Sequence, residues 1–396
     1  MTDFTKTRAA FHIPDGVIYL DGNSLGPLPL AAQAAASQTL TDQWGEMLIT
    51  AWNRAGWIDL PRKLGDRIAP LIGAEPETVQ VGDTLSLKLY QALGAALAMT
   101  DRKIILSDQG NFPSDLYMAE GLIQTMGQGH ELRLVAPEAV EAALSDEIAV
   151  LMLTQVDYRT GRRHDMARLT ARAHELGIIT IWDLAHSAGA FPVHLAQTGA
   201  DFAVGCSYKY LNGGPGAPAF IYIAPQYRDQ AHTVLNGWLG HATPFAFPLD
   251  YTPATGVDRM RIGTPAVVQM QILDAALDAW QGVDLNDLRA ASVALSERLI
   301  TGIEANCPDL RLASPRDPEQ RGSQVSFHFQ DAYALCQALI ARGIIGDFRA
   351  PDILRFGIAP LYIGTAEIDA AIAAISEIIK GRLWDRPEWK TRNAVT

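Results

Sequence analysis

The sequence predicts an α/β fold with a mostly parallel sheet, followed by a smaller α+β unit. Three observations carry this. Short apolar runs at 103–106, 148–153, 178–182, 202–205 and 219–223 alternate with stretches at helical spacing. Those runs are continuous rather than alternating, as strands covered on both faces require. Polar residues able to do chemistry stand where the runs stop, at Thr154, Asp183 and Ser207, and ligands of parallel sheets collect beyond the carboxyl ends of the strands.

Each element has its own signal. The run 148–153 (Ile-Ala-Val-Leu-Met-Leu) contains no polar residue. Residues 166–176 place Leu169, Ala173 and Leu176 on one helical face before the next apolar run. Residues 87–97 repeat Leu87, Tyr90, Leu93 and Leu97 in the same way. Beyond about residue 268 the pattern changes. Helical stretches at 270–280 and 288–304 precede 324–329, which alternates like a half-buried strand. A helix at 332–341 and a strand at 353–357 follow. The expected division is an N-terminal segment 1–40 packing with the small domain, a large domain 41–268, and a small domain 269–396.

A chain of 396 residues is too long for one simple core. Apolar residues make up 48% and charged residues 19%, the balance of a globular chain. The net charge of −12 argues against nucleic acid or an anionic membrane as the main partner. Apolar runs are strand-sized, far short of a membrane span. The first thirteen residues lack an apolar signal core. Three cysteines, Cys206, Cys307 and Cys336, provide neither a disulfide framework nor a CxxC metal pair, and fit a reducing cytoplasm.

The chemistry concentrates in two segments, Asp183-Leu-Ala-His186 and Cys206-Ser-Tyr-Lys-Tyr-Leu-Asn212. A lone lysine between tyrosines after one strand, and an aspartate ending another, meet the needs of pyridoxal 5'-phosphate. Lys209 would form the Schiff base, and Asp183 would keep the pyridine nitrogen protonated so that the ring accepts electrons. His186 would stack on the ring or bond near it. The loop Gly82-Asp-Thr-Leu-Ser86 opens into a helix whose free N–H groups suit a phosphate. In Asn111-Phe-Pro-Ser-Asp115, an aromatic before proline suits a ring stacked on a planar cofactor. Arg355 is a charge set in an apolar strand, where it serves either an α-carboxylate or a structural ion pair.

These motifs, with Tyr19-Leu-Asp-Gly-Asn-Ser-Leu-Gly-Pro-Leu-Pro29, Gly237-Trp-Leu-Gly-His241 and Arg261-Ile-Gly-Thr-Pro265, resemble the kynureninase family, of bacterial type, over nearly the whole chain. The resemblance implies the fold-type I, pyridoxal phosphate-dependent transferase-like architecture, with a mostly parallel seven-stranded sheet. It implies hydrolytic Cβ–Cγ cleavage of L-kynurenine, and more weakly of 3-hydroxykynurenine, to anthranilate or 3-hydroxyanthranilate and L-alanine. Lys209, Tyr208 and Asp183 would be catalytic. Leu85 and Ser86 would hold the phosphate with Tyr208. Phe112, Pro113, Ser114, Asp115, Thr154 and His186 would surround the ring. Arg355 would bind the substrate carboxylate and Trp57 would face its aromatic ring. Trp238 and Thr264 would reach the site from the second subunit of a homodimer, Thr264 touching both cofactor and substrate. Two departures stand out. Lys88 occupies a position where asparagine is expected, and Leu85 can offer only its backbone. Thr264 stands where animal members carry asparagine, which implies a preference for kynurenine itself. The alternatives are a class V aminotransferase-like enzyme such as a cysteine desulfurase, whose chemistry needs a mobile reactive cysteine, and a non-catalytic cofactor-binding regulator.

Overall fold

A computed structural model of the chain describes residues 1–392; the last four residues of the expected small domain lie outside it. Seven strands form the main sheet: β1 (Val79–Val81), β2 (Ile104–Asp108), β3 (Glu131–Val135), β4 (Ile148–Thr154), β5 (Ile179–Asp183), β6 (Phe202–Gly205) and β7 (Phe220–Ile223). Their order is β1-β7-β6-β5-β4-β2-β3. The pairs from β6 to β3 are parallel, and β7 runs antiparallel to both its neighbours.

The sheet is buried on both faces. Val150 and Met152 face a cluster with Leu89, Leu93, Ile181 and Val204. Leu151 and Leu153 face the other side, with Trp182, Ala203 and Phe220, and that core runs on into the C-terminal part through Val325, Phe327 and Leu354. Each such side chain contributes about 1.5–3 kcal/mol on burial, so a polar residue inside a run has to be justified by a bond. Asp201, just before β6, is justified in this way: it accepts from Thr180 N at 2.8 Å and Thr180 Oγ1 at 2.9 Å.

Nine helices of nine residues or more flank the sheets among the described residues: α1 (Leu30–Gln38), α2 (Leu60–Ile68), α3 (Leu85–Leu97), α4 (Pro113–Met126), α5 (Met166–Glu175), α6 (Val267–Ala276), α7 (Leu285–Asn306), α8 (Ala332–Ile340) and α9 (Thr365–Lys380). Their starts follow the sequence. Asp165 accepts from Arg168 N at 3.0 Å and Asp284 from Asn286 N at 2.7 Å, capping α5 and α7. Proline occupies the first position of α4, where no N–H is needed. No helix among the described residues is long and apolar enough to cross a membrane.

A second, antiparallel sheet holds β8 (Arg311–Leu312), β9 (Gln324–His328), β10 (Asp347–Arg349) and β11 (Ile353–Gly357), in the order β8-β9-β11-β10. The N-terminal segment is stitched to this part: Ile18–Tyr19 pairs in parallel with Ile344–Ile345. Two sequence expectations are corrected here. Strand β9 is not half-buried, because Gln324, Val325, Ser326 and Phe327 are all buried. Its polar face meets the large sheet's loops, with Gln324 Nε2 donating to Tyr158 O at 3.1 Å and Arg159 O at 3.2 Å. The helix expected at 270–280 starts at Val267 and tightens into a 3-10 turn over Leu277–Trp280.

Candidate active site

The carboxyl ends of β4, β5 and β6 place Thr154, Asp183 and the Lys209 turn around one cavity of about 420 Å³. The turn is tightly determined. Ser207 Oγ donates to Pro218 O at 2.5 Å, Gly213 N donates to Ser207 O at 2.9 Å, and Asn212 takes a left-handed φ of 58°. The N-terminal motif wedges against it. Gly26 N donates to Tyr208 O at 2.8 Å, and a Cβ on Gly26 would stand 2.5 Å from Lys209 O and 2.7 Å from Asn212 Cα. Only glycine fits that approach.

Lys209 Nζ lies 3.0 Å from His186 Nε2. Lysine offers donors only, so the imidazole accepts there. Burial, then the charges of Lys209 and Arg355, push His186 well below its ordinary pKa, so its ring is neutral and its proton sits on Nδ1. That nitrogen is buried with no partner. Asp183 accepts from Ala185 N at 2.7 Å and lies 3.4 Å from Thr154 Oγ1. Burial raises its pKa against the pull of Lys209. Asp115, one turn into α4, is buried beside it with both oxygens unpartnered; burial and the Asp183 charge push it well above the carboxylate range. Burial and the neighbouring Asp183 thus favour the protonated form of Asp115 over the charged one. The cavity thus offers a lysine, an acidic strand end and an unsatisfied imidazole nitrogen. This set fits a planar, nitrogen-containing ring that needs a protonated nitrogen and a carbonyl partner.

The ring's faces and its phosphate are provided for in the same cavity. Phe112 stands at its wall, edge-on to Tyr158 with ring centroids 5.1 Å apart. Its loop is fixed by Asp108 Oδ1, which accepts from Gly110 N at 2.7 Å, and by Asn111 Nδ2, which donates to Ser107 Oγ at 2.9 Å. Ser114 lines the cavity, while Pro113 opens α4 behind it. Thr84, Leu85 and Ser86 line the opposite end at the start of α3, where the first N–H groups lack intrahelical acceptors. Tyr208 also faces the cavity, and the Cys206 thiol beside it, then burial, keep its hydroxyl protonated.

Arg355 is buried in β11, and its fork is occupied. Nε donates to Asp347 Oδ1 at 2.6 Å, Nη2 to Asp347 Oδ2 and, at 3.1 Å, to Ser24 Oγ, and Nη1 to Tyr158 O. Arg349 Nη2 lies 2.9 Å from the same Asp347 carboxylate. Asp21 is pushed up to about 7, by burial first and then by Asp347. Two arginines against one fully ionised carboxylate leave the cluster positive. Sequence reasoning missed Asp347, Arg349 and Tyr158. A signal existed for the first two, since Asp347 lies directly across a hairpin from Arg355.

Three expected residues sit elsewhere in this chain. Trp57 packs edge-on to Trp52 and donates to Gln43 Oε1 at 2.7 Å. Trp238 stacks on Phe247 at 5.8 Å and donates to Pro244 O at 2.6 Å. Thr264 lines a neighbouring cavity of about 250 Å³ with Asp83, Thr84 and Arg261.

The fold and the lysine–aspartate site define the class: a pyridoxal phosphate enzyme of fold type I. Solved structures of similar fold include the apo cysteine desulfurase of Thermococcus onnurineus NA1, with a TM-score of 0.81, 19% identity, and coverage of 96% of this chain and 99% of that one. A C-DES mutant with glycine covalently linked to the PLP cofactor has a TM-score of 0.80 at 19% identity, covering 95% of this chain and 100% of that one. The sequence is more specific. Residues 288–375 match the kynureninase C-terminal domain. The kynureninase of Pseudomonas fluorescens is 46% identical over 98% of this chain and 95% of its own length. That of Deinococcus radiodurans is 48% identical over 94% and 92%. The chain belongs to the kynureninase family, and its cofactor is pyridoxal phosphate. The desulfurase alternative falls with this, and all three cysteines are buried.

Proposed function

We propose that the protein hydrolyses L-kynurenine at its Cβ–Cγ bond, and 3-hydroxykynurenine more slowly, in the cavity around Lys209. Kynurenine and water give anthranilate and L-alanine, with no oxidant or reductant. The observation that carries the site assignment is Lys209 Nζ 3.0 Å from His186 Nε2, in the cavity that Asp183 closes.

When bound, pyridoxal phosphate supplies an electron sink for the substrate's α-carbon. Asp183, with Asp115 beside it, would hold a proton at the pyridine nitrogen. Lys209 Nζ takes the proton from the substrate Cα and returns it. His186 and Phe112, which both line the cavity, would pack against the ring and keep water from it. Leu85 and Ser86, through backbone N–H groups, hold the phosphate together with Tyr208. Tyr208, kept protonated, is placed to donate to the departing carbon, while Lys209 or Tyr208 assists the water that adds at Cγ. The positive Asp347–Arg349–Arg355 cluster receives the substrate carboxylate, with Asp347 fixing the Arg355 fork in advance. Fixed orientation of this kind is worth several kcal/mol of barrier, up to roughly 7–11 in the best cases.

The working unit is a homodimer. Trp238, Phe245 and Phe247 pack together and are exposed, as are Leu249, Trp44, Leu48 and Ile49, and exposed apolar surface of this kind marks interfaces. Trp238 and Thr264 then serve the neighbouring subunit's site, Thr264 favouring kynurenine over its hydroxylated form. The domains divide as 1–40, 41–268 and 269–396, and the enzyme works in the cytoplasm on a small-molecule substrate.

Two measurements test this. Anthranilate fluorescence should rise when the holoenzyme meets kynurenine. Borohydride followed by mass spectrometry should place the pyridoxyl adduct on Lys209, and an adduct on another lysine would overturn the site assignment.

A further inference from the structure

Lys88 is fully buried three residues into α3, beneath the loop that opens this helix. Its ammonium has three acceptors: Asp83 Oδ2 at 2.9 Å, Gln91 Oε1 at 3.0 Å and Met260 O at 2.8 Å. Gln91, also fully buried, closes the triangle by donating from Nε2 to Met260 O at 3.2 Å. A buried lysine is stable only when all its donors are met, and here each has a partner. Asp83 is no ordinary partner. Its backbone is left-handed, with φ 56°, which costs a non-glycine residue energy. Its carbonyl accepts from Ala219 N at 3.1 Å, so the residue is gripped at both backbone and side chain. A Cβ at Gly82 would stand 3.8 Å from Lys88 Nζ, which places the ammonium directly under the loop. On its other side Lys88 holds the carbonyl of Met260, four residues before Thr264. Burial lowers the Lys88 pKa, and Asp83 opposes that shift.

We infer that Lys88 is a positioning residue that fixes the Asp83–Ser86 loop in its phosphate-receiving shape and ties it to the segment carrying Thr264. The inference rests on the reading of that loop as the phosphate site. The buried cation does not touch the phosphate; it acts through Asp83, whose strained turn aims the free N–H groups of Leu85 and Ser86 into the cavity. The role is therefore specific to the cofactor's phosphate, not to its ring.

The test compares full-length wild type, Lys88→Met and Asp83→Asn, each resolved of cofactor and titrated with pyridoxal phosphate and with pyridoxal, binding being read by the visible absorption band. Both variants should lose about ten-fold or more in affinity for pyridoxal phosphate, as expected for a broken buried charged bond, while affinity for pyridoxal stays at the wild-type value. Equal losses for both ligands, or an unchanged preference in the variants, would overturn the inference. If Lys88→Met does not fold, Asp83→Asn decides alone, because it removes the negative charge from the same pair at its partly exposed end. A wild type that binds both ligands equally would instead refute the phosphate-loop reading itself.

Discussion

At the scale of single residues, the site separates into groups that announce themselves and groups that do not. Lys209, Asp183 and Thr154 were legible because an apolar run that stops at a polar residue marks a strand end. Asp347 was not, because its importance lies across a hairpin rather than along the chain. It is nonetheless the group on which Arg355 depends. Asp347→Asn leaves Arg355 and Arg349 without a counter-charge, and breaking a buried pair of this kind costs about 3–5 kcal/mol. The saturation constant for kynurenine should rise at least ten-fold while turnover falls less, a split that steady-state kinetics reads directly. The pH dependence has a definite sign. Burial works against it, but the bonds and charge of Arg355, then the charge of Arg349, hold Asp347 below its ordinary 3.8. The stabilisation is present above that value and fades as pH falls through the lower folded pKa. Denaturant titrations should therefore show the full stability gap between wild type and variant at pH 7 and a shrinking gap below about pH 4. An equal gap at pH 3 and pH 7 would contradict this origin.

At the scale of elements, the sequence yielded those with long runs or clear periodicity and missed the short ones. Strands β4, β6 and β11 fell where continuous apolar runs stand. Strand β1 was missed because three residues, Val-Gln-Val, carry no readable period. Strand β3 was missed because it lies at the sheet edge, with two of its five residues exposed and none fully buried. The burial of β9 was misjudged because Gln324 is satisfied by loops distant in sequence and itself donates to Ser326 Oγ, which alternation cannot reveal. The N-terminal motif was recognised as specific, but its physical reason appears only in three dimensions: it is a spacer between the lysine turn and the Arg355 cluster. Gly26→Ala tests that reason. A methyl group at 2.5 Å from Lys209 O forces the turn to move, with a cost of about 1–3 kcal/mol for overpacking. Thermal melting should register the loss, and the visible band of the bound cofactor should shift as Lys209 is displaced. A normal melting point with a normal band would show that the turn yields freely and the wedge is unimportant.

At the scale of the whole molecule, the question is whether one chain makes a site. Trp238 and Thr264 stand away from the Lys209 cavity of their own chain, and Trp238, Phe245 and Phe247 are exposed. If each site draws on two chains, Lys209→Ala and Trp238→Ala enzymes should complement. After subunit exchange, random pairing gives half heterodimers, each with one intact site of two, so about one quarter of wild-type activity should appear. No rise above the parents after exchange has been verified by mass would show that each chain works alone, without disturbing the family assignment.

The parallel pair between Ile18–Tyr19 and Ile344–Ile345 bears on how the enzyme is made. The residues that brace the lysine turn are translated long before their pairing strand, with the whole central sheet between them in sequence. At about 5–20 residues per second the early segment waits on the order of tens of seconds for its neighbour. During that interval the central sheet can collapse, but the Arg355 corner, which joins Ser24 to Asp347, does not exist. The Arg355–Asp347 corner is therefore completed only after the whole central sheet has been synthesised.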